Sequence, residues 1–169
     1  GIHPKPSMIR EELRSMNAGI GKGVTQNIRE QSPDAIIIVI SNPMDNMTYL
    51  ALQSIGLPKN RIIGMGGILD SSRFKYYLST AMGCSMQDLQ AVVIGGHGDT
   101  TMIPLTRLAT YNGTPVSNIL DDATLNQVAA DTMVGGATLT GLLGTSAWHA
   151  PGAADATVGA SLVRDAQNL

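Results

Sequence analysis

His97 stands in the stretch VVIGGHGDTTMIPL, residues 92 to 105, where an apolar run gives way to Gly95, Gly96, the histidine and Gly98. Histidine is the side chain best suited to trading a proton near neutrality. Glycines on both sides let the backbone turn sharply and let another molecule come close. A strand opening into such a loop is a common place for a working group. The plain alternative is a hydrogen-bonded histidine in a tight turn. A proton-trading imidazole needs a carboxylate to fix its tautomer and support its cation. Asp99 is near in sequence, but such close neighbours on a strand or turn point apart. Asp70, upstream in LDSSR, is the other candidate, and by itself it also reads as a helix cap. Arg73 follows three residues later, on the same helical face. An aspartate beside an arginine suits two tasks: one orients the histidine, the other forks onto a substrate carboxylate. The plain reading of that pair is an i,i+3 surface ion pair.

Asn42 adds a polar group at the end of the apolar run AIIIVI, residues 35 to 40. In open α/β sheets ligands sit at the carboxyl ends of strands. An asparagine before proline is held extended, although Asn-Pro is also ordinary turn chemistry. Metal ligation finds little support, because His3, His97 and His149 show no paired spacing and Cys84 is the one cysteine. GIGKGV, residues 19 to 24, has neither the span nor the closing Lys-Ser/Thr of a phosphate loop. It is not Gly-x-Gly-x-x-Gly either, so no dinucleotide fingerprint is present.

The elements that must position these residues follow from the patterning. Leu13, Met16, Ile20, Val24 and Ile28 recur at helical spacing and predict a helix from about Ile9 to Glu30. A buried strand follows at AIIIVI, then a helix from about Asp45 to Ser54 and a short strand at Arg61 to Gly64. Asp70 to Gly83 predicts a helix capped by Asp70, and LQAVVIGG a strand. MIPLTRLATYNGTPV reads as a hairpin turned at Asn112-Gly113. The rest, from about Asp122, is helical, with breaks expected near Gly135-Gly136 and at Pro151. Helix alternating with buried strand is the pattern of a doubly wound α/β layer. The character changes to α+β near residue 67, which divides the chain into residues 1–67 and 68–169.

Composition narrows the partners. The net charge is −2 and aromatic residues make up 4% of the chain, so neither a basic stripe nor a stacking platform points to nucleic acid. The longest apolar run is too short to span a bilayer. One cysteine and the lack of a signal peptide pattern lead to the expectation of a reducing, cytoplasmic compartment. The opening Gly1 and the loop-like HPKPS, with no stop signal after LVRDAQNL, lead to the expectation of a piece of a longer chain.

Four stretches, VISNPMDNMTYLAL, NRIIGMGGILDSSRFKYYL, VVIGGHGDTTMIPLTRL and GGATLTGLLGTSAWHAPGAA, in this order, closely resemble NAD-dependent malate dehydrogenases of the lactate-dehydrogenase-like type. The resemblance implies the C-terminal part of a doubly wound Rossmann sheet followed by an α+β substrate domain. It implies reversible hydride transfer between malate and oxaloacetate, with NAD as cofactor and a homo-oligomer, dimer or tetramer. His97 would take the proton of the 2-hydroxyl, Asp70 would hold the imidazole, and Arg73 would grip the C1 carboxylate. Asn42 would hydrogen-bond the reacting oxygen. Arg10 matches the loop arginine that polarises the carbonyl. Asn17, Ile40, Ser41 and Asn42 match positions lining the nicotinamide half of NAD.

Two departures stand out. The family loop reads Gly-x-Pro-Arg-Lys-Pro-Gly-Met-x-Arg, and its first arginine, which recognises the second carboxylate, falls here on Pro4. Its glycine falls on Ser7. Pro4 makes a lactate-like 2-hydroxy acid the nearest rival substrate. The family's glycine fingerprint is not among these residues, so this stretch alone is expected to bind NAD poorly. A non-catalytic interaction module and a metal-dependent hydrolase using His97 and Asp99 are the readings from other classes.

Overall fold

A helix of 22 residues, α1 (Arg10–Gln31), leads into a short strand, β1 (Ile37–Val39). The computed structural model describes residues 10–165, with side chains from residue 15 onward. It divides into two compact units, Gly1–Met65 and Gly66–Leu169.

In the first unit, helix α2 (Met44–Ile55) and strand β2 (Ile62–Gly64) follow β1. The strands pair in parallel, with Ile37 opposite Ile62 and Val39 opposite Gly64. Parallel strands need a crossover, and α2 supplies it. Ile37, Ala51, Ile55 and Ile62 form the buried centre, flanked by Ile28, Val39, Leu52 and Leu57. Gly64 is bare because α2 begins against it: a Cβ there would collide with the Met44 sulfur. Gly56 ends α2 in the left-handed region, at φ 67°, where a side chain is disfavoured.

Helix α1 departs from expectation. Met16, Ile20 and Val24, expected to face the core, are exposed, while Asn17 and Thr25 are buried. The buried ridge runs through Asn17, Gly21, Thr25 and the half-buried Ile28, and Gly21 approaches Leu50 of α2. Small and polar residues can line a buried ridge when their polar atoms find partners. Thr25 Oγ1 does so by donating to the Gly21 carbonyl of its own helix, at 2.9 Å.

The second unit begins with helix α3 (Gly67–Met82). Strands β3 (Leu89–Gln90), β4 (Val93–Gly95), β5 (Met102–Pro104), β6 (Thr110–Tyr111) and β7 (Thr114–Pro115) follow, then helices α4 (Asp122–Leu143) and α5 (His149–Val163). β4 and β5 form one antiparallel pair, and β3, β6 and β7 form another small sheet. Asn112 (φ 45°) and Gly113 (φ 83°) turn β6 into β7 at the expected place. Met102–Pro104 belongs to a different hairpin, with β4. Phe74 and Leu78, one turn apart on α3, are fully buried among Leu89, Val93, Met102, Val116, Leu125 and Val128. Burying each of the two stabilises the unit by about 2–3 kcal/mol relative to exposure.

Two helix boundaries differ from the sequence reading. α3 starts at Gly67, so Asp70 lies inside its first turn and does not cap it. α4 runs unbroken through Gly135-Gly136 and stops at Gly144, and Pro151 sits in the first turn of α5. Proline is tolerated there because the first-turn N–H groups have no helical partner.

Candidate active site

Asp70 is the centre of the second unit's polar cluster. The residue is 2% exposed. One oxygen, Oδ2, lies 2.7 Å from His97 Nδ1, and the other, Oδ1, accepts from Arg73 Nη1 at 2.9 Å. An unpaired carboxylate so deeply buried is strongly destabilising, and two charge-bearing neighbours offset that penalty. The first turn of α3 helps, since a helix N-terminus favours negative charge. A carboxylate can only accept, so Nδ1 is the donor and Nε2 is the accepting nitrogen of the neutral ring.

The glycines around His97 have separate reasons. Gly95 has φ +88°, and a Cβ on it would run into the Thr101 carbonyl oxygen. Gly96 N–H donates to that same oxygen at 3.1 Å, and Thr101 N–H donates to the Gly98 carbonyl at 2.9 Å. The β4–β5 connection therefore folds back tightly on itself and lifts the imidazole toward α3. Asp99, the carboxylate nearer to His97 in sequence, is exposed.

Arg73 is held by its helix neighbour and by α4. A Cβ on Gly136 would stand 3.2 Å from Arg73 Nη2, 3.3 Å from Nη1 and 3.4 Å from Cζ. A Cβ on the buried Gly135 would meet Tyr77 Oη at 3.3 Å. The two glycines make α4 a shelf for the guanidinium. From the sequence alone this pair reads as a helix break. The available signal was that glycine inside a helical pattern is unfavourable by about 1 kcal/mol and therefore marks close approach.

In the first unit, Asn17 is 4% exposed and its Nδ2 donates to the Asn42 carbonyl at 3.1 Å. Asn42 follows β1 and precedes a cis peptide bond to Pro43. Ile40, also past the end of β1, is 53% exposed, and Ser41 is half-buried. Arg10 begins α1, and its side chain lies outside the described residues, as do Pro4 and Ser7. Among the described residues no three of His, Cys, Asp and Glu are grouped to hold a metal ion.

A parallel βαβ unit is thus followed along the chain by a hairpin-and-helix unit that carries a His–Asp–Arg cluster. Residues 1–64 match the lactate/malate dehydrogenase NAD binding domain, and residues 68–169 match the lactate/malate dehydrogenase alpha/beta C-terminal domain. The chain belongs to the lactate/malate dehydrogenase family. It is 65% identical over all 169 residues to a malate dehydrogenase of Bacteroides fragilis, covering 54% of that protein. The chain spans about half the length of the curated relatives it matches. Among solved structures, apo malate dehydrogenase from Picrophilus torridus superposes with a TM-score of 0.92 at 38% identity, covering 97% of this chain and 51% of that one. Cryptosporidium parvum lactate dehydrogenase, complexed with lactic acid and β-nicotinamide adenine dinucleotide, superposes with a TM-score of 0.88 at 32% identity, over 95% of this chain and 52% of that one.

Proposed function

We propose that this chain belongs to a malate dehydrogenase that moves a hydride reversibly between (S)-malate and oxaloacetate, with NAD as cofactor. The observation that carries the reading is the Asp70 carboxylate set between His97 Nδ1 at 2.7 Å and Arg73 Nη1 at 2.9 Å. In malate oxidation, His97 Nε2 accepts the 2-hydroxyl proton while the hydrogen on C2 leaves with its electron pair and the C–O bond becomes a carbonyl. The nicotinamide, when bound, supplies the hydride acceptor. Asp70 keeps the imidazole in the tautomer that can accept and supports the cation that forms. Arg73 offers its fork to the C1 carboxylate, which fixes C2 for the transfer. In the reverse direction His97 returns the proton to the oxaloacetate oxygen.

The residues of the first unit fit a nicotinamide. Ile40 presents an exposed apolar side chain beyond a parallel strand's carboxyl end. Beside it Asn17 fixes the Asn42 backbone. An apolar surface edged by amide groups suits a flat ring bearing a carboxamide. Ser41 completes the set, and the family resemblance implies a hydrogen bond from Asn42 to the reacting oxygen and polarisation of the carbonyl by Arg10. The malate assignment rests on relatives at 63–67% identity that are named malate dehydrogenases. Assembly as a dimer or tetramer rests on the family resemblance alone, and the cytoplasmic setting on Cys84 as the one cysteine. Separately, no helix among the described residues is long and apolar enough to cross a membrane.

The test is steady-state kinetics on the longer polypeptide that carries these residues. His97→Asn is expected to lower kcat by about 10³-fold while NADH binding, followed by fluorescence titration, persists. A variant that turns over like its parent removes His97 from the role. A parent that prefers pyruvate to oxaloacetate in kcat/KM moves the reading to a lactate-like acid.

A further inference from the structure

Ser71, next to Asp70 on α3, has no part in the chemistry above, yet it touches the strand that carries His97. Val93 N–H donates to Ser71 Oγ at 3.0 Å, across 22 residues of sequence. The direction of that N–H explains why. In the β4–β5 ladder Leu105 N–H donates to the Val92 carbonyl and Gly96 N–H donates to the Thr101 carbonyl. Val92 and Gly96 therefore turn their backbone groups toward β5. Alternation along an antiparallel strand sends the Val93 N–H to the opposite edge. The sheet ends there, since β4 and β5 form a two-stranded pair. Val93 is buried, at 4% exposure, and a buried N–H needs an acceptor. Ser71 Oγ stands where the carbonyl of a further strand would be. On the same side, a Cβ on Gly67 would lie 3.6 Å from the Val93 carbonyl oxygen, so the start of α3 sits directly on this residue.

Asp70 and Ser71 thus hold two points of one segment. Ser71 fixes its beginning at Val93, and Asp70 receives its end at His97. Between them Gly95, at φ +88°, bends the chain. Three residues separate the two anchors, so the position of Val93 on α3 bears on where the imidazole stands. We infer that Ser71 is a positioning residue: its hydroxyl sets the register of β4 on α3 and so places His97 against Asp70. This rests on the proposed dehydrogenase reading for its kinetic consequence, but not for its geometric one.

The experiment compares Ser71→Ala and Ser71→Thr with the parent in the longer polypeptide. Ser79→Ala serves as control, because the Ser79 hydroxyl bonds within its own helix, to the Tyr76 carbonyl. Amide hydrogen exchange should quicken at Val93 by at least ~10-fold in Ser71→Ala, relative to Ser79→Ala. The NMR signal of the proton shared by His97 and Asp70 should shift or broaden. The kcat should fall ~10-fold with KM for the 2-oxo acid changed less than ~3-fold, since placement of the base is felt in the reacting state. Ser71→Thr keeps an acceptor oxygen and should restore all three. Faster exchange at Val93 with an unmoved His97 signal would overturn the inference, as would equal kcat losses in Ser71→Ala and Ser79→Ala. A parent without dehydrogenase activity would end the functional reading and leave the exchange and NMR comparison to judge Ser71.

Discussion

The guanidinium of Arg73 lies over the bare Cα of Gly136, with Nη2, Nη1 and Cζ nearly equidistant, at 3.2 to 3.4 Å, from where a Cβ would stand. A methyl group there would press on the face of the guanidinium. Gly136→Ala should therefore displace the group by a few tenths of an ångström and raise KM for the 2-oxo acid about tenfold, with a smaller effect on kcat. Alanine gains about 1 kcal/mol of helix propensity over glycine, so thermal stability should hold or rise. Weaker substrate binding without loss of Tm is the expected signature. A KM equal to the parent's would show that Arg73 does not depend on the shelf.

Asp70→Asn keeps the size of the side chain and removes its charge. One amide oxygen can still accept from a neighbour, but the imidazolium loses its counter-charge. The kcat should drop by about 10²–10⁴-fold. Arg73, at 24% side-chain exposure, would also lose its ion-pair partner. Together these losses should destabilise the fold by about 2 kcal/mol. Denaturation with urea, alongside kinetics, separates the two effects. Full activity in this variant would leave Asp70 a structural group only.

Pro4→Arg supplies the charged fork that the family resemblance implies at this position. It should raise the ratio of kcat/KM for oxaloacetate over pyruvate by about 10-fold or more, because a desolvated charge pair contributes several kcal/mol of discrimination. Competition between the two oxo acids at fixed NADH measures it. An unchanged ratio would mean that another residue already reads the second carboxylate.

Asp121 caps α4, and its Oδ1 accepts from Thr124 N–H at 2.7 Å. Hydrogen bonds from the Thr124 side chain and then its backbone hold the Asp121 carboxyl below the usual carboxylate range. A group lowered on folding stabilises above its unfolded value, and that stability is lost as pH falls through the lowered folded value. Asp121→Ala should therefore lower Tm at neutral pH. The gap to the parent should close on acidification past the range where the cap protonates. A gap that stays constant with pH would show that the charge of the cap is not what matters.

The site cluster was legible because its logic is local. Asp70 and Arg73 share a helix face by spacing, and glycines frame His97 in one short loop. What the sequence could not display was any relation decided by a neighbour. The apolar period of Met16, Ile20 and Val24 marks a face of α1 without saying what covers it, and the buried ridge runs through Asn17 and Thr25 instead. Gly135 and Gly136 look like a break until Arg73 and Tyr77 are seen against them. LQAVVIGG reads as one strand, yet Leu89–Gln90 pairs with β6 and Val93–Gly95 with β5. By adjacency in sequence, the default guide to pairing, Met102–Pro104 reads with the Asn112 turn, yet it pairs with β4.

The bend at Gly95 constrains which residues the chain accepts at this position. Thr101 closes the space where a side chain would go, so the bareness of position 95 is demanded by assembly of the hairpin before any reaction is considered. A library randomised at that codon and sorted only for folded protein would return glycine, with no substrate ever present. Invariance there would report on chain closure, while invariance two positions later, at His97, would report on the pair that its imidazole makes with Asp70.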